Sequence, residues 1–328
     1  MKWPRNQKHA EPRGALRVEP RGALRVVLLA FVALTFVACG DAARVETGKG
    51  ANDATGAKAA PQAQRIISLS PSTTEVLYGV GAFERVVAVS DYDKFPPEVS
   101  RLPKIGGWSN TNLEQVATLK PDLIVMTSSQ APLIKDKLDA LGVRTVTVPS
   151  YTVADALAGI EQIGAVTGRE EAARQLVAEV RAKLEDVRAR TRELPRLRVL
   201  CIVDRVPGTL RGLYTATRGS FFAELIEIAG GESIAPPASN GFGQISKEAV
   251  VSLDPDIIFD MLQTGEGKLA EDTREVWKEL SSVRAVREGR VYSLRDESML
   301  HPSQFVGDTA RKFAELIHPQ AFGGAQGK

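Results

Sequence analysis

A stretch of about a dozen residues that occurs twice constrains this chain more than any other feature. Asn112-Leu113-Glu114-Gln115-Val116-Ala117-Thr118-Leu119-Lys120-Pro121-Asp122-Leu123-Ile124 matches Ser246-Lys247-Glu248-Ala249-Val250-Val251-Ser252-Leu253-Asp254-Pro255-Asp256-Ile257-Ile258 at its Glu, Val, Leu, Pro, Asp and Ile positions, at an offset of 134 residues. Each copy reads as a short helix with a glutamate in its first turn, stopped ahead of a Pro-Asp turn that launches a buried strand. Such a repeat predicts two lobes of the same construction. Between the copies, residues 170–194 contain no Gly or Pro and place Leu176, Val180, Leu184 and Val187 on one stripe. One helix of that length spans roughly 37 Å, about a whole small domain, so it can run from lobe to lobe before Pro195 ends it.

Short β-rich runs alternate with helical stretches on either side of that helix. Residues 65–69, 86–89, 123–126 and 145–148 read as strands of the first half, and 199–203, 257–261 and 290–294 as strands of the second. Residues 220–229 and 304–318 read as helices. Ser72-Thr73-Thr74-Glu75 has the form of a capping box, with Pro71 beside it and Gly79 and Gly81 as the stop. The expected class is therefore α/β: two similar Rossmann-like lobes (64–168 and 195–318) bridged by one long rigid helix (169–194), with a ligand cleft between them. Residues 319–328 read as a disordered tail.

The first forty residues read as an address. Lys2, Arg5, Lys8, Arg13, Arg17, Arg21 and Arg25 lead into an apolar run over 26–38 that is too short for an ordinary membrane span. That order is a secretory signal over 1–38. It ends Phe36-Val37-Ala38-Cys39-Gly40, and small residues before a cysteine resemble the bacterial lipoprotein processing site, which would make Cys39 the lipidated N-terminus. Phe36 departs from the usual Leu, so plain cleavage near Ala38 with Cys39 unmodified stays open. Both readings put the body outside the cytoplasm. An octet, Glu11 to Val18, recurs as Glu19 to Val26, consistent with a start further downstream. Residues 39–63 are small and polar and cannot offset chain entropy by burial, which suits a flexible tether.

Charge removes one partner class. The formal charge of +2 hides +5 on residues 1–38, so the remainder carries −3, and no Lys/Arg cluster marks a nucleic-acid face. Cys39 and Cys201, the latter in a strand pattern, make a poor disulfide pair.

At this point the chain resembles a known family, the class III periplasmic binding proteins of cobalamin and iron-siderophore ABC importers, its cobalamin-binding members above all. The likeness covers residues 64–318. It rests on Arg65-Ile66-Ile67-Ser68-Leu69-Ser70-Pro71-Ser72-Thr73-Thr74-Glu75, Gly106-Gly107-Trp108-Ser109-Asn110, Lys120-Pro121-Asp122-Leu123-Ile124, Glu227-Ile228-Ala229-Gly230-Gly231-Glu232 and Ile245-Ser246-Lys247-Glu248. The resemblance implies a monomeric, extracytoplasmic receptor, held to the membrane by its lipid, that takes a corrinoid or an iron chelate as cargo and delivers it to a permease and ATPase with little hinge motion. It needs no cofactor of its own.

By the same resemblance Glu114 and Glu248 correspond to lobe-tip glutamates that dock on permease arginines. A Glu in a first helical turn also has a purely structural use, worth roughly 0.3–1 kcal/mol through the helix dipole; the symmetric pair favours docking. Tyr92, Trp108 and Phe242 match positions where aromatic rings face the ligand. Aromatics bring large apolar area at little rotamer cost and stack on planar macrocycles, although Phe242 also suits a core position. Arg205, Arg218, Arg295, Asp296 and His301 occupy loops from which cleft contacts are made, with Arg295 and His301 the strongest candidates. The family's common Pro-Arg pair after this loop is replaced by Ser303-Gln304.

Catalysis has no foothold: the chain lacks a G-x-S-x-G elbow, a Walker loop and H-E-x-x-H. A first-row metal cage would need several His or carboxylate ligands, and beyond the leader only His301 and His318 remain. Cobalamin, a ferric siderophore and haem stay open as cargo, since one histidine could serve as an axial ligand. A surface lipoprotein that binds another protein without transport is the remaining alternative.

Overall fold

The computed structural model describes residues 62–108, 110–262 and 272–323. The secretory signal, Cys39, the tether up to residue 61 and Ser109 lie outside these residues; the last two residues assigned to the tether are described, and Ala63 is buried in the core rather than part of a free linker.

The repeated segments adopt matching conformations down to individual hydrogen bonds. Asn112 caps one helix by accepting from the Gln115 N–H, and Ser246 caps the other by accepting from the Ala249 N–H. Both helices end on a left-handed residue, Lys120 at φ 47° and Asp254 at φ 40°, which turns the chain into the Pro-Asp step. The aspartate then holds the neighbouring strand by its backbone. Asp122 accepts from the Gln64 and Arg65 N–H groups at 2.8 and 3.0 Å, and Asp256 from the Arg198 N–H at 2.9 Å. The Arg65 guanidinium returns to the Leu119 and Lys120 carbonyls, the Arg198 guanidinium to that of Asp254. Each lobe thus closes its helix–turn–strand unit with the same Arg–Asp clamp.

The N-terminal lobe runs β1 (Ile66–Ser68), α1 (Pro71–Gly79), β2 (Val86–Val89), α2 (Leu113–Leu119), β3 (Leu123–Thr127), α3 (Ala131–Asp139), β4 (Thr145–Val148) and α4 (Val153–Thr167). Its sheet has the order β2-β1-β3-β4 and every pairing is parallel. Its strands are mostly buried on both faces, as parallel strands flanked by helices must be. α5 (Glu170–Thr191) follows, one turn shorter than the sequence pattern because 192–194 close into a turn before Pro195.

The C-terminal lobe contains β5 (Leu197–Asp204), β6 (Tyr214–Ala216), α6 (Phe221–Ile228), β7 (Gly231–Ser233), β8 (Phe242–Gln244), α7 (Lys247–Leu253), β9 (Ile257–Asp260), α8 (Thr273–Trp277), α9 (Arg284–Arg287), β10 (Val291–Ser293) and α10 (Val306–Ile317). Its sheet runs β10-β9-β5-β6-β8, with β7 also on β5. β6 and β8 are antiparallel additions to a parallel core, so this lobe is a mixed sheet.

One hydrophobic cluster crosses the whole body. It joins Ile66, Leu77 and Ile160 of the first lobe to Phe259, Phe313 and Ile317 of the second through Val177, Val180, Leu184 and Val187 of α5. Ala173 lies on the same stripe, while Leu176 is only partly buried. Two smaller clusters fill the outer face of each sheet. The first five residues of the expected tail, 319–323, are described and ordered, and 324–328 lie outside the described residues. Pro319–Ala321 form a single turn, and Phe322 packs on the core with the Arg190 guanidinium 5.5 Å above its ring. Among the described residues, no helix is long and apolar enough to cross a membrane.

The Ser72–Glu75 capping box does not form. Ser70 occupies the cap position, without a side-chain cap bond, and Pro71 opens the helix. Glu75 is drawn away by a residue of the other lobe.

Candidate functional site

The loops that follow the strands of the two sheets meet. Phe221 at the start of α6 donates its N–H to the Tyr151 carbonyl after β4 at 2.6 Å, and Glu224 accepts from the Val153 N–H at 2.7 Å. On the other side, Lys94 after β2 pairs with Glu297 after β10, and Glu75 of α1 with His301. Loops at the carboxyl ends of strands, around a point where strand order reverses, are where open α/β sheets bind ligands. In the first lobe that point lies between β1 and β3.

Tyr92 and Trp108 are carried by two segments that meet at the end of β2. Residues 103–106 run alongside it, with the Ile105 N–H donating to the Val89 carbonyl and the Asp91 N–H to that of Gly106. Gly106 sits at φ +100°, and a Cβ there would lie 2.4 Å from the Asn110 carbonyl oxygen. A Cβ on Gly107 would lie 2.9 Å from the Tyr92 hydroxyl. The glycine pair therefore lets the turn that leads into Trp108 lie flat against the Tyr92 ring. Both rings are half-buried. Beside the ends of β3 and β4, Ser128 and Ser129 hydrogen-bond the Ser150 hydroxyl at 3.1 and 3.3 Å.

Phe242 lies on β8, half-buried, parallel to Tyr214 of β6 with ring centroids 6.5 Å apart and edge-on to Phe222. It serves the core through Phe222 and offers a ring beside Tyr214. Burial raises the Tyr214 phenol above its ordinary range. Tyr214 was not legible as a site residue, because its short strand carries no clear alternating pattern.

Arg205 is not a cleft residue. It is 1% exposed, donates from Nε to Asp260 at 2.8 Å, and shares that carboxylate with the Trp277 indole N–H at 2.7 Å. Arg218 and Asp296 are exposed, and Asp296 caps a short turn by accepting from the Ser298 N–H. Arg295 is exposed and lines a groove between α8, β10 and α10, together with Arg274 and Lys312.

His301 reaches across the lobes, with Nδ1 2.6 Å from Glu75 Oε1. Glu75 is 2% exposed and His301 13%. Burial lowers the imidazole pKa, but the Glu75 carboxylate outweighs it and holds the proton above the ordinary range. Asp93 lies beside this pair. Its burial pushes it up to about 6 against hydrogen bonds from Ser90 and Thr74 that lower it. Gln304 donates to the Glu75 carbonyl at 2.8 Å. Glu75 and Asp93 escaped the sequence reading because nothing local marks an acid whose partner is more than 200 residues away.

Glu114 and Glu248 are both exposed in the first turns of α2 and α7, and among the described residues neither forms an ion pair. Hydrogen bonds from its own N–H and from Ser246 lower the Glu248 pKa. Both carboxyl groups are presented to solvent on equivalent helices. No group of three or more His, Cys, Asp or Glu among the described residues is arranged to hold a metal ion.

Comparison with known proteins agrees with this geometry. Residues 66–298 match the family model described as periplasmic binding protein. An uncharacterized ABC transporter substrate-binding lipoprotein of Bacillus subtilis is 30% identical over 264 residues, 79% of this chain and 81% of the relative. A vitamin B12-binding protein of Vibrio cholerae is 27% identical over 243 residues, covering 74% and 84%. In fold, the chain is similar to a periplasmic heme-binding protein from Roseiflexus, with a TM-score of 0.69 at 22% identity over 79% of this chain and 99% of that one.

Proposed function

The chain belongs to the periplasmic binding protein family, and we propose that it captures cobalamin or a related corrinoid outside the cytoplasmic membrane. As an ABC transporter substrate-binding protein it works with a permease and an ATPase and binds a small molecule; it is not of an enzyme class. The observation that carries the corrinoid reading is the Tyr92–Trp108 pair, set on a double-glycine turn at the carboxyl end of β2. Two half-buried rings on segments that meet at this strand end can supply flat apolar area for a macrocycle, and their polar tips can orient its edge. Phe242 and Tyr214 offer a second aromatic surface on the other lobe. The vitamin B12-binding relatives support the choice.

Glu114 and Glu248 are assigned to permease docking, as two anions on matching helices that a two-sided partner can grip. Cys39 is assigned as the lipidated residue, with the tether holding the body off the membrane. A ferric siderophore or haem is the second reading. The observation on its side is Arg218 and Arg295, exposed cations of the C-terminal lobe suited to carboxylate or catecholate oxygens.

Tryptophan fluorescence tests the cargo. Titration with cyanocobalamin should quench saturably, and Trp108→Phe should lose most of that quenching, because Trp277 is buried with its N–H bound to Asp260. No response to cyanocobalamin with saturation by haem or a ferric siderophore would replace the cargo and keep the receptor role.

A further inference from the structure

Three side chains buried where the lobes meet hold oxygens without a hydrogen-bond partner among the described residues: Glu75 Oε2, Asp93 Oδ1 and Gln304 Oε1. They come from different elements. Glu75 belongs to α1, Asp93 to the loop after β2, and Gln304 to the segment leading into α10. His301 joins them, bonded to Glu75 and electrostatically coupled to Asp93.

The charged groups around this cluster form a short inventory. From the first lobe come Glu75, Asp93, Asp91, Lys94 and Lys104; from the second, His301 and Glu297. Lys94 pairs with Glu297 at a more exposed position, and Lys104 donates to the Asp93 carbonyl at 2.8 Å. The buried part therefore holds two carboxyl groups of the first lobe, with the His301 imidazole as the charge partner from the opposite lobe and the half-buried Lys104 as a further cation near Asp93.

That composition makes lobe contact depend on protons. With His301 protonated, Glu75 is a buried anion with a cation 2.6 Å away. With His301 neutral, the two buried carboxyl groups of the first lobe lose the only cation that the second lobe sets against Glu75, among the described residues, a costly arrangement in a poorly solvated site. Separating the lobes would rehydrate both. Around the cluster, Phe95 packs edge-on to Phe305 at 5.3 Å and to Tyr78 at 5.1 Å.

We propose that Glu75, Asp93 and His301 form a proton-dependent latch between the lobes, docked when His301 is charged and loosened when it is neutral. The latch regulates the cleft of the receptor reading, on which it rests, through the strand-end loops that carry Tyr92 and Trp108 on one side and His301 on the other. Ligand held at mildly acidic or neutral pH is released more readily as the pH rises.

The ligand-free chain tests this without reference to cargo. Spin labels at Leu133→Cys and Ser282→Cys, exposed positions on opposite lobes, should give a narrow distance distribution at pH 6 that broadens towards longer separations by pH 9. The transition midpoint should lie above 6.5, the ordinary value for histidine, and should coincide with the His301 ring titration seen by NMR. His301→Gln should abolish the pH response, and so should Glu75→Gln, which keeps a polar contact and removes the anion. A distribution unchanged between pH 6 and 9 in the parent, or a full response surviving in both variants, would overturn the latch. Failure to bind cyanocobalamin would overturn the corrinoid reading and leave this result untouched.

Discussion

Asp93→Asn isolates the cost of holding a carboxylate in the inter-lobe junction. In the folded chain burial pushes Asp93 up to about 6 from an ordinary 3.8, so the folded state binds this proton more tightly than the unfolded one. The sign follows: its contribution to stability is fully present below about pH 3.8 and is lost as the pH rises through about 6. A difference of about two pKa units at 1.36 kcal/mol each makes the loss about 3 kcal/mol. Asn keeps an acceptor oxygen for the Ser90 N–H and hydroxyl, which both bond Asp93 Oδ2, and removes the charge. Urea unfolding of parent and variant at intervals from pH 4 to 8 gives the test. The stability difference, variant minus parent, should grow by roughly 2 kcal/mol across that range, less than the full loss because an unfolded Asp93 is already more than half ionised at pH 4. Other carboxylates cancel in the difference. Parallel profiles would show that Asp93 does not carry its proton into the neutral range and would refute the reasoning.

Arg205→Met should destabilise the chain by about 3–5 kcal/mol, because Asp260 would lose the guanidinium that neutralises it in a fully buried site; cyanocobalamin affinity of the folded variant should be unchanged, and a selective loss of affinity would return Arg205 to the cleft. Lys120→Gly should stabilise by up to about 1 kcal/mol in the same assay, since a non-glycine residue occupies a left-handed position there. Phe313→Ala, in the fully buried stack on Phe259 at 4.6 Å, should cost about 3–5 kcal/mol. Charge reversal at Glu114 and Glu248 together should leave cyanocobalamin quenching intact and abolish uptake by cells that depend on this receptor; unchanged uptake would remove both residues from docking.

What the sequence revealed was local and periodic. The helix–turn–strand repeat was legible because Pro, Asp and a buried Ile-Ile pair punctuate it at fixed spacing, and the bridging helix because its apolar stripe runs without Gly or Pro. β6 and β8 were missed, being three residues each and placed by antiparallel pairing with one another rather than by an apolar run. The errors share a cause. Glu75 has the spacing of a capping residue, and Arg205 the place of a cleft residue at a strand end. Each is claimed instead by a partner distant in sequence, His301 for one and Asp260 with Trp277 for the other. Tyr92 and Trp108 are legible one residue at a time, while the approach of the turn before Trp108 to the Tyr92 ring depends on two glycines.

The apolar stripe of α5 has a thermodynamic consequence. Because the cluster that includes Val177, Val180, Leu184 and Val187 runs unbroken from Ile66 to Ile317, neither half can unfold without exposing the other's apolar surface. Two lobes of repeated design are thereby fused into one cooperative unit, which should melt in a single calorimetric transition with matching van't Hoff and measured enthalpies. A fragment ending before α5 would lose the partner face of α1 and α4, so the duplicated halves are no longer separable domains.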